Sequence, residues 1–253
     1  MDFFTELAYR NFALFTFGII CLIGTLVTGI LSFTTTTEVL GINAFIKPFK
    51  FFLSTVIFSW SMGWYLGYLN HPTVITIYSW TVILVLSFEL IYITLRAAQG
   101  QLSHFNISTQ QNALMFSLMG ITISIMTLFT LYIGMLFFQS KLPELPSSYL
   151  WGIRLGIICF VIFAFEGGIM GAKLAHTIGA ADGGQGLKLL NWSTKHGDLR
   201  IAHFVGMHAL QILPLIGFYL LSSSKQMIIF SSVYFITCTV VLIQALLKIP
   251  LIK

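Results

Sequence analysis

Five of the six histidines and two loop acids fall where they could act together. His104 stands in QLSHFN, His176 in AKLAHTIGAADGG and His196 in STKHGDLR, while His203 and His208 stand in AHFVGMHALQ. Asp182 and Asp198 share the stretch between His176 and His203. Imidazoles with a carboxylate are ligands suited to zinc, iron or copper. His104, His176, His203 and His208 are therefore the expected metal ligands. Asp182 or Asp198 would ligate the ion or orient an imidazole, and a metal-bound water would do the chemistry. Glu166, farther into an apolar stretch, is the expected proton carrier. A b-type haem is the rival cofactor, with His208 as axial ligand and Gln211 beside it. His203 and His208 are five residues apart, about 140° around a helix, so one helix alone does not present them as a chelating pair. Asp198 also suits the start of a helix, where its carboxylate would accept a backbone N–H.

These residues need elements to hold them, and the composition says which kind. Only 8% of the 253 residues are charged and 57% are hydrophobic, whereas an ordinary soluble domain carries about 25% charge. So few charges cannot cover a water-soluble fold, and nucleic acid is excluded as a partner because the bases sit at the ends of apolar stretches. Crossing the hydrocarbon layer takes about 20 apolar residues. Seven stretches qualify, at roughly 12–33, 48–69, 73–96, 112–138, 149–176, 201–221 and 227–249. The expected fold is an all-α integral membrane helical bundle of seven transmembrane helices, forming a single domain over 1–253. Pro48 and Pro72 suit first turns, and Ser108 with Gln111 suits a capping box. Gly167 and Gly171 form a G-x-x-x-G, which favours close helix packing. Cys21, Cys159 and Cys238 lie deep in apolar stretches and read as inert buried thiols.

With seven crossings, Arg10, Lys141, Arg154 and Lys225 fall on the N-terminal side and the other nine Lys and Arg on the opposite side. This bias predicts a cytoplasmic C-terminus and a cytoplasmic histidine-rich face. Glu89 and Glu166 lie inside apolar stretches, where ionisable groups mark polar pockets or ion pathways. Glu89 and Arg96, seven residues apart, share a helix face and could pair. The loop 177–200 carries Gly179, Gly183, Gly184, Gly186 and Gly197 with Trp192, a length and composition suited to a loop folded over a site.

The segments SHFN (103–106), AHTIGAADGG (175–184) and GDLRIAHFVGMHALQILP (197–214) resemble those of uncharacterised bacterial multi-span membrane proteins. That resemblance implies a bacterial inner-membrane location and brings no activity with it. In outline, seven spans with histidines at one face are similar to the membrane hydrolase superfamily of alkaline ceramidases and progestin/adiponectin-type receptors. That superfamily uses three histidines, an Asp and a Ser around zinc. The last span here has no histidine and the second has no Ser-x-x-x-His, so no catalytic residue is carried over. A retinal site does not fit either, because Lys248 ends the last span. The functional expectation is a metal-dependent membrane enzyme, a hydrolase or an oxidoreductase, acting on a lipid-soluble or amphiphilic substrate. The alternatives are a b-type haem or quinone-linked electron carrier, and a transporter or channel with Glu89, Arg96 and Glu166 on its path.

Overall fold

The computed structural model describes residues 2–183, 186–187 and 190–252. Gly184, Lys188 and Lys253, counted above, lie outside the described residues. The chain forms two compact units, Met1–Met126 and Thr127–Lys253. Each is described by itself.

The first unit opens with α1 (Phe3–Arg10), α2 (Phe12–Thr34), α3 (Ile46–Leu66) and α4 (Pro72–Ala98), and its end falls within α5 (Gln110–Gln139). Local chemistry sets several of these starts. Asp2 accepts the Thr5 N–H at the head of α1, and Asn11 accepts the Leu14 N–H at the head of α2. Pro72 occupies the first turn of α4, as expected. At α5 the cap lies one residue later than predicted, since Thr109 Oγ1 accepts the Asn112 N–H at 3.2 Å. Between α2 and α3 the chain makes a two-residue hairpin, β1 (Glu38–Val39) against β2 (Ile42–Asn43). Its turn residues Leu40 and Gly41 both have positive φ, 53° and 75°, the backbone that a tight two-residue hairpin needs.

The second unit continues with α6 (Ser147–Lys173), α7 (Leu199–Met207), α8 (Ala209–Tyr219) and α9 (Ser224–Leu246). The stretch between α6 and α7 folds back on itself. There β3 (Thr177–Ile178) pairs with β4 (Gly197–Asp198), and Gly186 bridges Ser193. The buried core of this unit joins Cys159 and Phe163 of α6 to Ala202, Ala209 and Leu213, with Met227 and Cys238 of α9. All three cysteines are free and buried.

Five of the helices among the described residues are long and apolar enough to cross a membrane: α2, α4, α5, α6 and α9. A sixth crossing arises if α7 and α8, bent 43° from one another, count as one span. The predicted span 48–69 corresponds to α3, which is not among them. Lys47, Pro48 and Lys50 stand in its first turn, and Thr55 and Ser59 are buried along it. Large apolar side chains lie exposed along the others, such as Ile20, Leu26 and Phe33 on α2 and Val233, Ile236 and Val240 on α9. Water would penalise such faces and hydrocarbon does not. The protein is a membrane-embedded helical protein.

Glycine lets α8 lie close on α6. A Cβ at Gly152 would stand 2.7 Å from the Leu213 carbonyl oxygen, and one at Gly156 would stand 2.9 Å from that of Ala209. Backbone cannot step aside as a flexible side chain can. Gly152→Ala is therefore expected to destabilise the protein by about 1–3 kcal/mol, read as a lower thermal unfolding temperature in detergent. An unchanged unfolding temperature would contradict this packing.

Candidate functional site

The second unit carries an acid and an imidazole side by side inside its helices. Glu166 of α6 is 5% exposed, and among the described residues neither of its carboxylate oxygens has a hydrogen-bond partner. His203 of α7 places Nδ1 at 3.3 Å from Glu166 Oε2 and at 2.7 Å from the Phe163 carbonyl oxygen. One Nδ1–H makes one good hydrogen bond, and the shorter one goes to Phe163. The approach to Glu166 is thus an electrostatic contact between neighbours, not a hydrogen bond. Phe163 stands almost one turn before Glu166 on α6, so the imidazole lies along a single helix face. Gly167 makes the room, since a Cβ there would be 3.0 Å from His203 Cε1.

The start of α7, and with it His203, is fixed by Asp198. Its buried carboxylate accepts the N–H groups of Ser193 (2.8 Å) and Arg200 (3.0 Å), and the Arg200 guanidinium at 2.9 and 2.6 Å. Arg200 in turn donates to the Asn191 carbonyl. Asp198 therefore serves as helix cap and ion-pair partner, and its bonds are spent inside the loop.

A second clasp closes the other end of the loop. His176 Nδ1 lies 2.6 Å from Asp182 Oδ2, and the same carboxylate accepts the backbone N–H groups of His176 and Thr177. Burial works against the charge on Asp182, but the bonds from His176 and Thr177 outweigh it and hold the carboxyl well below the usual carboxylate range. A carboxyl lowered by folding stabilises the fold at pH above its unfolded value, about 3.9. That stabilisation fades as the pH falls from there toward the folded value. Protection of the His176 and Thr177 amides against hydrogen exchange, corrected for intrinsic rates, is expected to drop progressively between about pH 5 and pH 2, mostly below pH 4. Constant protection across that range would show that Asp182 is not the clasp.

His208 stands at the joint between α7 and α8. Its Nδ1 lies 2.8 Å from the Phe204 carbonyl of its own helix, and its ring packs on Phe204 at 4.1 Å, with Trp192 beyond. The Gln211 N–H donates to the His208 carbonyl at 3.0 Å. His104 belongs to the first unit, where Ser103 and the rings of Phe51, Phe105 and Phe116 surround it.

Among the described residues no three of His, Cys, Asp and Glu form a group able to hold a metal ion. The expected cluster of His104, His176, His203 and His208 finds no support in this geometry. Within the second unit His176, His203 and His208 each commit Nδ1 to a different acceptor: Asp182, the Phe163 carbonyl and the Phe204 carbonyl. The predicted Glu89–Arg96 pair is also replaced. Arg96 bonds to the amide oxygens of Gln99, Gln101 and Asn112, while Lys47 is the charge that acts on buried Glu89. The Glu166–His203 approach could not be read from sequence, because it depends on how α6 and α7 pack. Its one sequence signal was an acid inside an apolar stretch.

No protein-family model, curated protein or solved structure matches this chain.

Proposed function

We propose that the protein is a proton-coupled membrane transporter or channel, in which Glu166 and His203 pass a proton. The observation that carries this reading is the buried Glu166 carboxyl, without a hydrogen-bond donor among the described residues and 3.3 Å from an imidazole nitrogen. An isolated buried carboxylate is costly, so such a site takes up a positive partner. His203 can supply one. With Nδ1–H donated to Phe163, the neutral ring carries its lone pair on Nε2. A proton arriving at Nε2 makes the ring cationic and lets the Nδ1 proton leave. Glu166 Oε2 is the nearby base that receives it. The ring is left as the other neutral tautomer, with its N–H on Nε2, and exchange of that proton back to Nδ1 through water restores the starting form for the next transfer. In this reading α3 and the α7–α8 pair also cross, giving seven spans, and the C-terminus faces the cytoplasm.

The enzyme reading needs a metal group that the described residues do not bring together. A haem remains a second reading on one observation: the Nδ1 of His208 is anchored on Phe204, which presents Nε2 as an axial ligand would. An absorption spectrum of the purified protein tests it, and the lack of a Soret band ends it. Proton movement is tested in liposomes holding the protein and a trapped pH dye, with a potassium diffusion potential as driving force. Flux above that of protein-free liposomes is expected at both polarities. No excess flux at either polarity would sink the proposal.

A further inference from the structure

The surface of the second unit carries an open groove of about 360 Å³, lined by Leu131, Gly134, Met135, Phe138, Gln139 and Ile158. Its size lies at the lower end of small-molecule sites, roughly 300–1,000 Å³. Five of the six lining residues are apolar or glycine, and Gln139 supplies the polar exception. Gly134 lets α5 and α6 approach closely, since a Cβ there would be 2.7 Å from Ile157 Cγ2.

Arg154 stands one turn from Ile158 on the same face of α6. Its Nε donates to the Phe137 carbonyl at 2.9 Å, and its guanidinium lies 5.3 Å from the ring centres of Phe138 and Trp151. Phe138 is also a wall of the groove, so the cation sits at the groove's rim. Among the described residues no acid pairs with Arg154, whereas Arg10 pairs with Glu6 and Arg200 with Asp198. Its two terminal amino groups have no described acceptor, unlike those of Arg96, which reach three amide oxygens. Arg154 lies seven residues into α6, about 10 Å along the helix axis. A long side chain flanked by aromatic rings is characteristic of the depth where lipid headgroups meet hydrocarbon.

We propose that this groove binds an anionic phospholipid of the surrounding bilayer, with an acyl chain along the groove and the phosphate on the terminal amino groups of Arg154. The two halves of the site call for the two halves of such a molecule. An apolar wall suits a chain and gives a free phosphate nothing to bury. A guanidinium with unspent donors suits a phosphate, which its planar fork matches, and gives a neutral chain nothing to pair with. The surrounding bilayer supplies molecules that carry both.

Native mass spectrometry of the full chain in detergent tests this, with phosphatidylglycerol and phosphatidylcholine of equal chain length added separately. The wild type is expected to bind phosphatidylglycerol about five-fold more tightly. Arg154→Gln is expected to bring that ratio to about one. Leu131→Trp, which fills the groove and leaves the cation in place, is expected to weaken both lipids. Equal binding of the two lipids by the wild type overturns the proposal whether or not either variant folds. So does an undiminished preference in folded Arg154→Gln, or unchanged binding in folded Leu131→Trp. Glycerophosphoglycerol, the headgroup without chains, is expected to compete poorly. If it displaces the lipid at equal concentration, the groove has no part in binding.

Discussion

Glu166→Gln is expected to cut proton flux through the reconstituted protein by about 10²-fold or more, the scale that a positioned proton-transfer group contributes. The amide keeps the shape of the acid and cannot take up and release the proton handed on by His203. The same change is not expected to unfold the protein. Neither oxygen of Glu166 accepts a hydrogen bond from the described residues, so its replacement leaves no donor stranded. The unfolding temperature is expected to stay about the same. This pairing of lost flux with retained stability separates a working acid from a structural one. Equal flux in wild type and variant would remove Glu166 from the path.

Asp198→Ala is expected to have the opposite profile, a large loss of stability. Four donors converge on this carboxylate, two of them backbone N–H groups and two from the Arg200 guanidinium. The side chain of Asp198 has no exposed surface, while that of Arg200 is 24% exposed. Removing the acid leaves Arg200 without its carboxylate and takes the cap from α7. Breaking such a buried pair by deleting one partner costs about 3–5 kcal/mol, a large share of the roughly 5–15 kcal/mol that holds a typical domain together. Asp198→Asn retains an acceptor for the backbone N–H groups and should fall between Ala and wild type. Unfolding in detergent measures the series. A loss below about 1 kcal/mol for Ala would show that the four bonds are replaced by water.

The sequence marked the membrane helices well and their side-chain partners poorly. Stretches 12–33, 73–96, 112–138 and 227–249 became Phe12–Thr34, Pro72–Ala98, Gln110–Gln139 and Ser224–Leu246. Length and apolarity are properties of a continuous segment, and Pro72 is a local stop that needs no tertiary partner. α3 is less plainly marked, because its serines, threonines and lysines are tolerated by packing that a window of sequence does not contain. The stretch 201–221 became two helices. Pro214 stands inside α8, and the break falls six residues earlier, at His208. Within the loop, Asp198 could be read as a cap because the N–H of Arg200 is two residues away. Glu166 with His203, and Arg154 with Phe137, join residues from different helices. Gly152 and Gly156 give no sequence signal for the same reason, whereas the spacing of Gly167 and Gly171 is a pattern in itself.

The bend at His208 divides α7 from α8. Each half is fastened separately. The Tyr234 hydroxyl of α9 donates to the Val205 carbonyl of α7 at 2.6 Å, and Gly206 lets α7 close on Phe163. On the other half, Gly152 and Gly156 seat the backbone of α8. The imidazole beside Glu166 thus rides on the half that α9 and Phe163 hold, not on the half that Gly152 and Gly156 seat.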